Sequence, residues 1–331
     1  VTIDLLAIGR ANLDLYSQDI GAPFEDVTGF DAMVGGSPTN IAIGVSRLGM
    51  RSAILTAVGT DRTGDFVLRY LNDEGVITEF VPRIEGKLTS LALLGVQPPD
   101  AFPLSFYRED PADIYLRSSD VDAVDLSTVR AIEVSGNALA RGDCAGAVRH
   151  LLRGATARGI TVYMDVDLRP SEWADPIDYG AAIRSVLTDV DVLIGTEEEF
   201  FAAFMPDPGP VMTGYRMPED AMPELASTVS ALLDDRPGVI VTKRGPNGAT
   251  VESTDGSIDV PGFEVDVVNT VGAGDSFAAG LIRSRLRGLG WEEAVRFANA
   301  CGAITVTRHG CATALPTADE VEIFITRSAT P

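Results

Sequence analysis

The chain has 331 residues, long enough for one large α/β domain with a minor appendage, and 45% apolar against 22% charged residues is ordinary globular usage. No apolar run approaches the length that spans a bilayer, which argues against a helical membrane protein. Lys and Arg number 26 against 48 Asp and Glu, a formal charge of −22, so the overall field repels nucleic acid and anionic lipid. Any anionic ligand must be held by a local cluster of donors.

In chain order, "IDLLAIG" (3–9) is an apolar run stopped by glycine, the mark of a strand buried on both faces. Residues 12–34 fit no helix. "MVGGSPTN" (33–40) is a glycine turn leading into a helix over 38–49, with Ser37 as N-cap and Pro38 at the first helical position. "SAILTAVG" (52–59) reads as a strand and 64–75 as a helix. Within 86–117, "KLTSLALLGVQ" and "LSFYRED" read as strands with no helix between them, and with 12–34 they predict a small antiparallel flap.

The alternation then resumes, with strands at 130–136, 160–166, 190–195 and 238–243 and helices at 145–159 and 224–235, separated by a surface loop at 205–221. This order predicts a mostly parallel central sheet covered by helices on both faces. "TKRGPNGAT" (242–250) is a hairpin turn that a nucleotide would also fit. "FEVDVV" (263–268) alternates like a strand, and "SFAAGLIRSRLRG" (276–288) has helical spacing. Cys144, Cys301 and Cys311 are odd in number and lack metal-ligand spacing, and no leader pattern opens the chain; a reduced, cytoplasmic location is the expectation.

Chemistry concentrates in "NTVGAGDSF". Gly272, Ala273 and Gly274 leave the unpaired amides of a helix start open to an anion, and Asp275 follows where a base beside a phosphoryl group would stand. The same residues would also serve as an ordinary turn and an N-terminal helix acid. Gly35 and Gly36 would let a ligand touch backbone beside Asn40, or simply open a capped helix. There is no G-x-x-x-x-G-K-[ST], no G-x-G-x-x-G after a strand and no H-E-x-x-H. "GGSPT" departs from a nucleophile elbow at Thr39, and His150 and His309 are the only candidate bases for one, so Ser/His hydrolysis is disfavoured.

"GGSPTN" and "NTVGAGDSF" together resemble the two signatures of the ribokinase-like (PfkB) sugar kinases. "AIGRANLDLY", "FPLSFYREDPADIYL", "DVDLRPSEW" and "IGTEEEF" extend the likeness over nearly the whole chain. The resemblance implies a single ribokinase-like α/β domain over 1–331, with a small β lid from 12–34 and 86–117. It implies transfer of the γ-phosphoryl of ATP to a primary hydroxyl, with Asp275 as base and the amides of Gly272, Ala273 and Gly274 stabilising the group in transit.

Residue by residue, it places Asp14 (with Gly9 in a G-x-x-x-x-D pattern), Gly35, Gly36 and Asn40 at the sugar hydroxyls. Lys243, Gly245, Gly248, Thr196, Asn299 and Ala303 fall to the nucleotide, with Ala300 beside the base, and Glu199 to Mg²⁺ through water. K⁺ is a further candidate cofactor, although Asn269 stands where many relatives have an aspartate of the cation loop. Arg108 and Arg169 fit a sugar-acid carboxylate bidentately, or else pair with Glu109 or Asp110 and with Asp167, and Arg169 has the ATP phosphates as a further option. The expected acceptor is a keto-deoxy sugar acid, 5-dehydro-2-deoxy-D-gluconate first, with 2-keto-3-deoxygluconate and fructose behind it. A nucleoside kinase and a non-catalytic sugar-binding protein are the alternatives. No nucleic-acid or membrane partner is expected, and a homodimer through the lid is.

Overall fold

The computed structural model describes residues 2–97, 102–214, 216–218, 220–234 and 236–328. Positions 98–101 of the expected lid, 215 and 219 of the expected loop and 235 of the expected helix lie outside these. Among the described residues the strands are β1 (Ile3–Ile8), β2 (Asn12–Ser17), β3 (Phe30–Gly35), β4 (Ser52–Leu55), β5 (Val58–Gly59), β6 (Arg83–Ile84), β7 (Ser90–Leu94) and β8 (Leu104–Tyr107). They continue as β9 (Val129–Ser135), β10 (Thr161–Asp165), β11 (Val192–Thr196), β12 (Val239–Lys243), β13 (Ala249–Ser253) and β14 (Gly256–Val260).

The main sheet has the order β14-β13-β12-β11-β10-β9-β1-β4. It is parallel from β4 to β12 and ends in an antiparallel hairpin pair. The parallel strands are mostly apolar on both faces because both are covered, whereas β14 at the sheet edge is exposed over Gly256 to Asp259. On β1, Leu5 packs with Ile41, Phe277 and Val295 on one side, while Leu6 packs with Val148 and Leu151 on the other. The helix Arg62–Asp73 starts at Asp61, whose carboxylate accepts from Gly64 N (2.7 Å), a cap typically worth about 1 kcal/mol. The same carboxylate accepts from Thr89 N (2.8 Å), which ties this helix to the base of β7.

A second sheet, β3-β2-β7-β8, is the predicted flap. It is mixed rather than antiparallel: β2 pairs parallel with β7, because the chain crosses through β4 to β6 before returning. Three further expectations are corrected. The helix at 38–49 runs Ser37–Arg47 with Gly36, not Ser37, at its cap. The loop at 205–221 contains a helical turn, Gly209–Gly214, started by Pro210 and held by Pro208 O, which accepts from Val211 N and Met212 N. "FEVDVV" is not a strand: after β14 the chain leaves the sheet, and 263–268 runs as a loop that pairs with no strand, with Phe263, Val265 and Val267 on the cavity wall. Among the described residues no helix is long and apolar enough to cross a membrane, and the three cysteines are buried and free.

Candidate active site

Strand order reverses at β1, whose neighbours are β4 and β9, and crevices at such reversals lie beyond the carboxyl ends of the strands. A cavity of about 760 Å³ occupies this position under the lid, of a size for a nucleotide and a small acceptor together. Its floor comes from residues at strand ends: Asp165 closes β10, Thr196 closes β11 and Lys243 closes β12.

At one end of the cavity, Asp275 lies in the first turn of the helix Ala273–Leu286. Gly272 caps that helix at φ 85°, and a side chain there would meet Cys311 Sγ at 2.4 Å, so both its conformation and its space require glycine. The first-turn amides have no intrahelical acceptor; the Ala273 N–H bends back to Thr270 O at 3.3 Å. Burial pushes the Asp275 carboxyl above the ordinary carboxylate range, and the Asn40 amide, donating to Oδ2 at 2.7 Å, opposes the shift. Asn40 comes from the helix Ser37–Arg47, so the two glycine turns singled out in the sequence meet through this bond.

Lys243 does more than border a turn. Its ammonium pairs with Asp165 Oδ2 (2.8 Å) and stands 3.7 Å from Glu199 Oε2, and a methyl on Gly274 would come within 3.3 Å of it. Burial pulls its pKa down, yet Asp165 and Glu199 outweigh that and hold it charged above the usual lysine range. A fixed cation thus stands beside the amides of the glycine turn. Glu199 itself closes a capping box with Thr196, accepting from Thr196 N (2.8 Å), and its other oxygen accepts from Leu168 N (3.2 Å).

Of the residues expected at the nucleotide, Thr196, Gly245, Gly248, Asn299 and Ala303 border the cavity. Asn299 turns its amide to Val260 O and Pro261 O (3.2 and 3.0 Å), fixing the start of the loop that carries Phe263, Val265 and Val267 along the wall. Ala300 does not reach the cavity; it is packed in the core. Asn269 is fully buried, donating to Gly310 O (3.3 Å) and accepting from Val271 N (2.9 Å).

Of the residues expected at the acceptor, Asp14, Gly36, Asn40 and Arg169 border the cavity. Gly35 does not: its missing side chain makes room for the Asp14 carboxylate, which a Cβ would approach to 2.1 Å. Gly36, at φ 104°, sits where a Cβ would fall 2.3 Å from Arg10 O, so the glycine pair serves a close backbone crossing. Arg169 pairs with Asp167 at 2.9 Å, the neighbour expected for it. Arg108 does not border the main cavity. It is buried between Asp113 (2.5 and 2.7 Å) and Glu172 (2.9 Å) and also donates to Ser90 Oγ (2.9 Å), while Asp110, one partner expected for it, is taken by Lys87. With its charge already met by two carboxylates, Arg108 clasps the lid to the main sheet.

Sequence reading passed over Arg10, Asn12, Phe106 and Asp165, and gave Asp167 only as a partner for Arg169; all five are on the cavity wall. The available signal was position: in an alternating α/β chain, a polar residue just past the carboxyl end of an apolar strand faces the crevice. Asp167 also holds a φ of 39°, rare for a residue with a side chain, and accepts from Ser135 Oγ at 2.6 Å.

The model of the pfkB family of carbohydrate kinases matches residues 2–318. The chain belongs to this family. Its kinases are phosphotransferases, and so is this protein. It is 31% identical to a 5-dehydro-2-deoxygluconokinase of Geobacillus thermodenitrificans over 98% of its own length and 93% of the relative's. It is 32% identical to a protein of that name from Bacillus anthracis, over 97% and 94%. An E. coli protein assigned as ribokinase II, solved with ATP and Mg²⁺, superposes on this kinase with a TM-score of 0.84 at 25% identity, covering 98% and 99% of the two chains. A fructokinase of Xylella fastidiosa at 24% identity gives 0.83 over 99% of both, which bears on the fold.

Proposed function

We propose that this sugar kinase phosphorylates the terminal hydroxyl of 5-dehydro-2-deoxy-D-gluconate with ATP. The observation that carries the chemistry is the Asp275 carboxylate, half-buried at an amide-lined helix start and oriented by Asn40. In this reading the acceptor hydroxyl gives its proton to Asp275 as its oxygen attacks the γ-phosphorus; the bond to the ADP oxygen breaks in line, and no covalent enzyme intermediate forms. The glycine-turn amides and Lys243 meet the charge on the transferring group. The named acceptor is supported by the two relatives of that name and by guanidinium groups at the lid end of a strongly acidic chain.

Mg²⁺ would be held through water. Asp165 Oδ1 accepts from Asp167 N (3.1 Å) and Oδ2 is taken by Lys243, while both Glu199 oxygens accept from backbone, which suits an ion bound chiefly by phosphates and water. Bound there, the ion would neutralise phosphate charge. The lid excludes water from the reaction, and in this proposal it also pairs with the lid of a second copy.

The test is an ADP-release screen over 5-dehydro-2-deoxygluconate, 2-keto-3-deoxygluconate, fructose, ribose and adenosine, run on the wild type and on Asp275→Asn. The expected result is the highest kcat/KM with the first acceptor and a kcat at least ~10² lower in the variant, at unchanged ATP affinity. Ribose or adenosine as best acceptor would sink the substrate assignment, near-normal turnover in Asp275→Asn would remove it as the base, and no ADP release with any acceptor would favour a binding protein.

A further inference from the structure

Of the guanidinium groups gathered where the lid meets the main sheet, Arg108 is neutralised by Asp113 and Glu172, and Arg169 by Asp167. Arg10 differs. It follows Gly9 at the end of β1 and borders the cavity beside Asn12, Asp14 and Phe106, with its guanidinium carbon 5.1 Å from the Phe106 ring centroid. Its Nε and Nη1 are buried without a hydrogen-bond partner, and among the described residues no carboxylate stands in ion-pair contact with it.

Its backbone is pinned. Arg10 O accepts from Thr39 Oγ1 at 3.0 Å and lies against Gly36 at the start of the Asn40 helix. Of the acids that act on it, Asp14 is mostly protonated below neutrality because burial pushes its carboxyl up to about 7, and Asp167 and Glu172 are already paired with Arg169 and Arg108. A rigidly placed, desolvated cation with unused donors is costly until an anion meets it. Lys243 and the glycine turn already meet the phosphoryl group elsewhere in the cavity, so the anion for Arg10 is one the acceptor brings.

We propose that Arg10, rather than Arg108, reads the carboxylate of the acceptor, its planar fork taking both oxygens while Asp14 and Asn40 hold hydroxyls. This inference rests on the sugar-acid reading above. Arg10 is then the specificity-determining residue: it charges the lid end of the cavity so that an acid enters and a neutral sugar of the same shape leaves a buried cation unmatched.

The experiment compares 5-dehydro-2-deoxygluconate with its analogue reduced from carboxylate to hydroxymethyl, in the wild type, Arg10→Gln and Arg10→Lys. The wild type should prefer the acid by at least ~10² in kcat/KM, as two charge-assisted hydrogen bonds allow. Arg10→Gln should lose most of that preference through the acceptor KM, with the ATP KM within about twofold of wild type, and Arg10→Lys should fall between them. Should Arg10→Gln fail to give a wild-type melting curve, Arg10→Lys carries the same comparison. A wild-type preference retained in the variants overturns the Arg10 assignment alone, and so does a rise in ATP KM as large as that for the acid, which would place Arg10 on the nucleotide phosphates. No preference in the wild type overturns the sugar-acid reading, and with it this one.

Discussion

Asp14 shows how far one carboxyl can be moved by its place. It is buried at the mouth of β2, next to Arg10 and hydrogen-bonded by the Asn12 amide, and burial dominates, raising its pKa from 3.8 to about 7. The folded chain therefore keeps a proton that the unfolded chain releases near pH 4. The stability this contributes is full below that pH and is lost as pH rises through about 7, where folding must hold a buried, ionised carboxylate. Asp14→Asn, which cannot ionise, should match the wild type at pH 5 after its constant offset is subtracted and exceed it at pH 8. The expected difference in melting temperature between the two pH values is at least ~2 °C in the variant's favour, from thermal melts. An offset that does not change with pH would mean that Asp14 titrates as an ordinary surface acid. Its place at the cavity was legible from the sequence and its protonation was not, because the pKa depends on Arg10, Asn12 and the burial that the assembled fold imposes on it.

At the scale of elements, the two glycine turns were legible as helix starts, and what the sequence hid was how the two helices meet. Asn40 and Gly44 are one turn apart on the helix Ser37–Arg47, and Asp275 and Ala279 are one turn apart on the helix Ala273–Leu286. A methyl on Gly44 would lie 2.7 Å from Ala279 Cβ, so the helices are in tight contact one turn below the Asn40 to Asp275 hydrogen bond. Ala is the better helix former by about 1 kcal/mol, but overpacking costs about 1–3 kcal/mol, and two rigid methyl groups relieve it only by moving the helices apart. Gly44→Ala should therefore lose stability and kcat together, while Ala279→Gly in the same chain restores both. A cycle of denaturant titrations and turnover on the two single variants and the double should give a coupling energy of at least ~1 kcal/mol, and additive effects would show that this contact does not set the distance. The same limit explains the misread "FEVDVV": its period of two is real, but whether an alternating run becomes a strand depends on whether the assembled fold lays it along a neighbouring strand, and here the run follows the cavity wall instead.

For the whole molecule, alternating buried strands and amphipathic helices were enough to read the layered sheet, since each strand is apolar on both faces only if both are covered. The lid poses the same question at a larger scale. On β7, Ala92 and Leu94 face the cavity, so Leu91 and Leu93 face outward; on β2, Asp14 faces inward and Leu13 and Leu15 outward. In register, Leu13 lies beside Leu91 and Leu15 beside Leu93, with Tyr107 opposite Leu91 and 62% exposed. The lid is thus apolar on its outer face as well, in a chain whose charge of −22 keeps most of its surface wet. In the dimer proposed above, a second copy laying the same face against it about a two-fold axis would cover both patches at once and stiffen the roof of each cavity. Light scattering at micromolar concentration should give a dimer of this 35.0 kDa chain. Leu93→Glu, which puts a carboxylate at the centre of the face without touching the cavity, should give a monomer that still melts cooperatively. Its acceptor KM should rise, by about tenfold or more, with less effect on the ATP KM, because the proposed acceptor site lies under the lid. A monomeric wild type, or a Leu93→Glu dimer, would show that the outer face of the lid is not where two copies meet.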